Sequence, residues 1–320
     1  MIIVTGAAGF IGSNIIQGLN ALGITDIIAV DDLTDGKKYR NLAVTQYRDY
    51  LDYQDFLKRI EEDAFNTTIQ AIFHQGACSD TTEWNGRYLM QNNFEYSKTL
   101  LHYCLRKKIQ FIYASSAAVY GAKKIFDDRD PNQLPLNVYG YSKWLFDCYA
   151  QTYLKNPTSQ IVGLRYFNVF GPHENHKGKM ASVAFHLMNQ LRENGVVKLF
   201  SAYGGYGDGA HARDFIYVDD VIKINCWFYQ NPSKSGIFNC GTGQARAFND
   251  IATTLIKLNG NGELVYIPFP DSLKGAYQCF TKANITALRD IGFDAPFMSL
   301  EAGIECYFQW FHNAGLFHQT

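Results

Sequence analysis

The chain has 320 residues, a formal net charge of -1 and 47% hydrophobic residues, enough for one large α/β domain with an added lobe or for two ordinary domains. Acids and bases are interspersed without a basic stripe, which argues against nucleic acid as a partner, and no apolar run reaches the ~18 residues of a membrane span. Seven dispersed cysteines without C-x-x-C spacing read as reduced core thiols and not as disulfides or a metal site. An N-terminus that is itself a strand leaves no room for a signal peptide, so a cytoplasmic protein is expected.

Ile2-Ile3-Val4-Thr5 predicts a short buried strand, and Gly6, Gly9 and Gly12 follow where the chain must turn into a helix over about 10–22. Such a turn brings backbone N–H groups and the positive helix end to a pyrophosphate, so Gly6, Gly9, Phe10, Ile11 and Gly12 are expected at a dinucleotide. A second strand, 26–30, ends at Asp31 and Asp32, and an acid at that distance suits a ribose. Asp31 alone favours the free 2′-hydroxyl of NAD, whereas Lys37 and Lys38 in the next loop can reverse that preference or merely be solvated. Asp52 is expected to cap a following helix of about ten residues.

The apolar strand 71–74 runs into Gln75-Gly76-Ala77-Cys78-Ser79, small residues that let backbone lie against a ligand at the sheet's carboxyl edge. Cys78 reads as small filler. A helix over about 88–106 carries Asn92 and Asn93, poor helix-interior residues, so one of the pair is expected to face the crevice. Gln110 to Ala114 predicts another strand, with Ser115 and Ser116 at its carboxyl end. A helix starting near Val138 places Tyr139 and Lys143 four apart on one face.

Gly6-x-x-Gly9-x-x-Gly12, Ser116 and Tyr139-x-x-x-Lys143, in this order, resemble the extended short-chain dehydrogenases/reductases, which include nucleotide-sugar epimerases and dehydratases. The stretches 165–172 and 213–218 fit the same family. More narrowly, Gly76-Ala77-Cys78-Ser79, Thr81-Thr82-Glu83-Trp84, 137–143, His176-Lys177-Gly178 with 180–186, and Tyr266-Ile267-Pro268-Phe269-Pro270 are similar to the ADP-L-glycero-D-manno-heptose 6-epimerases of lipopolysaccharide synthesis. The resemblance implies an α/β fold, a Rossmann-type doubly wound parallel sheet with a smaller α/β substrate-binding lobe. It implies a bound NADP, with NAD possible, an ADP-heptose substrate and a homo-oligomer, a pentamer by family.

Tyrosine has a reference pKa near ~10, so acting as a base at neutral pH asks for a fall of about 3, or roughly 4 kcal/mol. A lysine ammonium about 4 Å away supplies on the order of 4 kcal/mol at an effective dielectric near 20. Tyr139 is therefore expected to exchange a proton with a sugar hydroxyl, Ser116 to hydrogen-bond the same oxygen, and Lys143 to hold the ribose and tune Tyr139. His173, His176, Lys177 and Lys179 crowd together after Pro172. Mutual repulsion is expected to favour a neutral amine, and the resemblance makes Lys177 the second acid/base; a clamp on a diphosphate is the plainer reading. It further implies that Gln75 to Ser79, Asn92, Val169 and Lys177 meet the cofactor, and that Asn168, Lys179, His186, Phe200, Ser201, Arg213 and Tyr277 join Ser116 at the substrate.

Helix 181–194 leaves His186 facing pocket or core. After the strand 197–200, four glycines between Ser201 and Ala212 predict a mobile loop, longer than is usual in the family. Arg213 is expected to grip a diphosphate bidentately, or else to pair with Asp214 or Asp219. Ala276, Lys179 and Tyr53 stand where the family has arginine, serine and lysine. A last helix over 299–313 suits core or subunit packing. The expected division is residues 1–170 and 214–242 for the dinucleotide, 171–213 and 243–320 for the substrate. The expected reaction is epimerisation of ADP-D-glycero-β-D-manno-heptose at C6. Another nucleotide-sugar epimerase, a dehydratase and a non-catalytic dinucleotide sensor are the alternatives. Against a dehydratase, Ala117 and Ala118 follow Ser116 where an Asp-Glu pair would be needed.

Overall fold

Strands β1 (Ile2–Thr5), β2 (Ile27–Asp31), β4 (Ala71–His74) and β6 (Ile161–Tyr166) are buried at every position, the pattern of a sheet covered on both faces. A computed structural model describes residues 1–274 and 277–313, so Ala276 lies outside the described residues. With β3 (Asp49–Asp52), β5 (Gln110–Ser116) and β10 (Gly236–Cys240), these strands form one seven-stranded sheet in the order β10-β6-β5-β4-β1-β2-β3. All its pairings are parallel. On one face, Ile16 and Leu19 of the helix Phe10–Ala21 share a core with Val221 and Phe228 of the helix Val218–Gln230. On the other, Ile3 and Val30 pack with Phe56, Leu100 and Phe146. Strand order reverses between β1 and β4, which opens a crevice at their carboxyl ends.

The remaining strands build two small sheets. β9 (Ala212–Tyr217) lies between β7 (Asn168–Phe170) and β11 (Ala245–Ala247), while β12 (Glu263–Ile267) pairs in parallel with β8 (Val196–Phe200). The last helix, Leu300–Asn313, lies on the first of these, with Gly303 against Phe170 and Tyr217. No helix among the described residues is long and apolar enough to cross a membrane.

Two local expectations change. The single helix over 88–106 is three pieces: a turn Gly86–Leu89, a π-helical stretch Met90–Glu95 and the helix Tyr96–Lys107. The π stretch contains both asparagines and lets Asn93 leave the helical register. Within the loop 201–212, residues 203–206 form a hairpin turn. Tyr203 and Tyr206 exchange both backbone hydrogen bonds at 3.1 Å, and Gly204 and Gly205 take φ of 64° and 86° to make that possible. The glycines here are turn formers, and Tyr203 stacks on Phe269 with centroids 4.0 Å apart.

Beneath the sheet's edge His74 is fully enclosed, bonded through Nδ1 to the Thr5 hydroxyl at 2.7 Å and through Nε2 to Ser97 at 2.8 Å. Burial pulls its pKa down to about 3. The unfolded chain therefore takes up a proton near pH 6.5 that the folded chain refuses until about 3, so stability falls as pH drops through that window. His74 should contribute up to about 1.4 kcal/mol of the loss per pH unit in urea titrations there, added to that of His176, which burial holds down to about 4, so the slope should be shallower in His74→Asn. An equal slope in the variant would remove His74 as the source.

Candidate active site

The glycine turn at the end of β1 is tight enough to exclude any side chain. Gly6 has φ +65°, and a Cβ on it would come within 2.7 Å of the Gly76 nitrogen. A Cβ on Gly12 would stand 2.0 Å from the Gly6 carbonyl oxygen. Gly9 caps the helix without a side-chain bond, and the first bond into it runs from the Ser13 N–H to Gly9. The N–H groups of Phe10, Ile11 and Gly12 thus have no intrahelical acceptor and point into the crevice. Gly76 lies directly against Gly6, its N–H bonded to the Thr5 hydroxyl at 3.1 Å. Beside it, the side-chain nitrogen of Gln75 is buried without a partner, although its oxygen accepts from Tyr166. A cradle of bare backbone with an orphaned amide donor fits a dinucleotide phosphate.

Asp31 is not the bare carboxylate that the sequence suggested. It is 7% exposed, accepts from the N–H of Ala8 and of Asp32 at 2.7 Å each, and pairs with Lys38 at 2.5 Å. The acid thus braces the glycine turn while Lys38 covers its charge. Asp32 instead accepts from Thr34, which holds its carboxyl below the usual range. Of the asparagine pair, Asn93 is locked: it accepts from the Cys78 N–H at 2.9 Å and donates to the Cys78 carbonyl and to Ser142. Asn92 makes only a local bond to Tyr88 and remains the member able to face a ligand. Ala77 and Cys78 follow half-buried, Cys78 held by Asn93, and Ser79 is exposed. Asp52 caps its helix by accepting from the Gln54 N–H at 2.8 Å.

Ser116 ends β5, where its hydroxyl accepts from the Ala118 N–H at 3.1 Å. Tyr139 is the second residue of the helix Val138–Tyr153, and its hydroxyl faces Ser116. The expected depression by Lys143 is corrected by the geometry. Burial pushes Tyr139 upward, only the Ser116 bond pulls it down, and the Lys143 amine donates instead to the Ala114 carbonyl at 2.8 Å. Burial brings Lys143 itself down to about 8. Below this pair lies a network that sequence reasoning missed. The Asp147 carboxylate, 1% exposed, accepts from Arg165 and Ser115 at 2.8 Å and from Tyr113 at 3.0 Å. Asp147 is four residues past Lys143, and that spacing was the available signal.

The segments that pointed to a heptose enzyme meet in space. Lys179 is 66% exposed and donates to Thr82 at 2.6 Å, with Asp80 at 3.7 Å. Thr81 donates to the Met180 sulfur at 3.7 Å. Lys179 is thereby turned to the 80–82 loop, away from the substrate role expected of it. Lys177 keeps some surface, but its amine is enclosed, 5.2 Å from the centre of the Phe10 ring. Its pKa is lowered by burial, and the expected crowding by cations is not the cause. His176 is pulled down to about 4, first by burial and then by Lys38 and Lys177.

Arg213 is 6% exposed and has neither acid beside it: Asp214 is consumed by Thr242, Gly243 and Ala283. Its guanidinium lies 4.9 Å from the Tyr277 ring centre and 5.6 Å from that of Phe248. Phe200 packs edge-on to Phe269 and Tyr277 on the same side, with half-buried Ser201 next to it. Asn168 is exposed at the start of β7 and Val169 half-buried beside it. His186, half-buried, packs its ring edge-on to Phe185.

A parallel sheet with a glycine turn of bare backbone at its switch point, and a tyrosine facing a serine four residues ahead of a buried lysine, is a Rossmann-type dinucleotide-binding scaffold. Residues 2–241 match the NAD dependent epimerase/dehydratase family, to which the chain belongs, and the protein is an epimerase. Among solved structures it is similar to the Helicobacter pylori ADP-L-glycero-D-manno-heptose-6-epimerase, at 33% identity over 97% of this chain and 96% of that one, with a TM-score of 0.84. It is also similar to the Thermotoga maritima UDP-glucose 4-epimerase (27%, coverage 98% and 99%, TM-score 0.82). The Thermus thermophilus UDP-glucose 4-epimerase in complex with NAD follows at 25%, coverage 98% and 99%, and TM-score 0.80.

Proposed function

We propose that the protein interconverts ADP-D-glycero-β-D-manno-heptose and its L-glycero epimer at C6, with NADP held through the cycle. The observation that carries this reading is a second enclosed proton-exchanging group, Lys177, on a different segment from the Tyr139–Ser116 pair. Bound NADP would supply a hydride acceptor that becomes the donor. It would be held by the cradle of Gly6, Gly9 and Gly12, with Lys38 beside the ribose and Lys143 at the nicotinamide end. Removing a hydride from C6 leaves a ketone, and the hydroxyl proton passes to Tyr139 while Ser116 bonds the oxygen. Once the ketone has turned, returning the hydride to the opposite face requires a proton from the other side, which is the role of Lys177.

Similarity to the Helicobacter enzyme, at 33% identity over 97% of the chain, and the contacts of Lys179 and Met180 with residues 80–82 support heptose over a hexose. Lys38, which neutralises Asp31, supports NADP over NAD. Arg213, which donates to the Ala212 carbonyl at 3.1 Å and lies between two aromatic rings with no acid beside it, supports a substrate diphosphate there. The test is to incubate the purified protein, without added cofactor, with ADP-heptose and follow C6 configuration by NMR. Interconversion without net change in nicotinamide absorbance is expected. Turnover of UDP-glucose but not of ADP-heptose would overturn the substrate assignment.

A further inference from the structure

The segment that carries Lys177 leaves β7 through Gly171 and Pro172 and reverses at His173, a non-glycine residue with φ of +76°. A side chain seldom occupies that region unless its surroundings fix the backbone. Here three side chains that also hold the glycine turn fix it. The Asn14 amide donates to the Phe10 carbonyl at 2.8 Å and to the Pro172 carbonyl at 3.1 Å. The Ser13 hydroxyl donates to the Gly9 carbonyl at 2.7 Å and lies 3.0 Å from Nδ1 of the buried His173 ring. Asn41, in the short helix Tyr39–Leu42, is 5% exposed and donates to the Ala8 carbonyl at 2.9 Å and to the His173 carbonyl at 3.0 Å. Its nitrogen is also 3.4 Å from His176 Nδ1.

These bonds tie consecutive carbonyls of the glycine turn, at Ala8, Gly9 and Phe10, to residues 172 and 173. Ser13 and Asn14 belong to the helix that continues the turn, whereas Asn41 comes from a different element and bridges the two. Both of its close partners are carbonyls, so only the nitrogen end of its amide can face them. Four residues beyond His173, the Lys177 amine lies 5.2 Å from the centre of the Phe10 ring. The amine and the backbone that carries it are thus fastened to the same turn. We propose that Asn41 is a positioning residue for Lys177: by joining the Ala8 and His173 carbonyls it holds the Lys177 segment against the dinucleotide cradle and keeps the amine over Phe10. The second proton-exchanging group is then aligned by the cofactor turn before any sugar binds. The proposal deepens the epimerase reading above and rests on it for the use made of that amine, though not for its placement.

The test reads the placement directly. Folded, full-length protein is methylated with formaldehyde and cyanoborohydride at one pH, and the extent at Lys177 relative to Lys143 is read by peptide mass spectrometry. In Asn41→Leu, close in size but without donors, the ratio should rise about fivefold or more, the effect of one lost buried hydrogen bond. Asn41→Ser keeps one donor on a shorter arm and should raise it less; it is read by itself if the leucine variant does not fold. An unchanged ratio overturns the proposal, whether neither lysine gains or both gain equally, as a merely structural role would have it. Turnover at saturating NADP is measured for Asn41→Leu, Lys177→Met and the double variant. Acting through Lys177, Asn41→Leu slows the parent protein but adds no loss in Lys177→Met; an added loss there overturns the proposal. Full activity of Lys177→Met would sink the acid/base reading and leave the labelling result standing, so the two failures are distinguishable.

Discussion

Tyr139→Phe is expected to cut turnover by about 10²- to 10⁴-fold, the usual range for a lost general acid/base, while the protein keeps its bound dinucleotide and its unfolding midpoint. The ring is half-buried and its hydroxyl faces Ser116, so phenylalanine removes the proton and little else. Burial pushes the phenol upward in the free protein, and Lys143 spends its amine on the Ala114 carbonyl. The positive charge that makes Tyr139 a base must therefore arrive with the oxidised nicotinamide or follow from a movement of Lys143. The alkaline shift of the tyrosine's ultraviolet spectrum is accordingly expected at lower pH in dinucleotide-loaded protein than in stripped protein, and is missing from the variant. Near-normal turnover by Tyr139→Phe would reject the role.

Gly12→Ala should abolish dinucleotide retention and destabilise the fold by about 1–3 kcal/mol, the ordinary cost of overpacking. The new methyl group would sit 2.0 Å from the Gly6 carbonyl oxygen and 2.7 Å from its carbon. Both are backbone atoms, and Gly6 cannot retreat because its own Cα face lies against Gly76. Relief requires pulling the helix Phe10–Ala21 off β1, which withdraws the N–H groups that face the phosphate. Gly36→Ala is the matched control, since nothing lies within 4 Å of a Cβ there, and it should change stability by no more than about 0.5 kcal/mol. The checks are urea unfolding midpoints and the nicotinamide content of the purified proteins. Retained dinucleotide in Gly12→Ala would mean that the turn is not the cradle.

The sheet, its strand order of burial and the glycine turn were legible in the chain because they depend on local patterns. Ile2 to Thr5 has no polar face, so it can only be a strand covered on both sides, and the spacing of Gly6, Gly9 and Gly12 specifies a turn whatever lies beyond it. Tyr139 and Lys143 share a helix face for the same reason. What the sequence alone determined is thus the buried strands at the centre of the sheet and the residue types at their ends, whereas the break of the helix over 88–106 and the short strands of the small sheets were not legible in it. Tertiary structure decided which partner each charged group meets: Lys38 on Asp31, Lys179 on Thr82, Arg213 between two rings, and Lys143 on Ala114. Electrostatic energy depends on distance and burial, and neither is encoded in the separation of two residues along the chain.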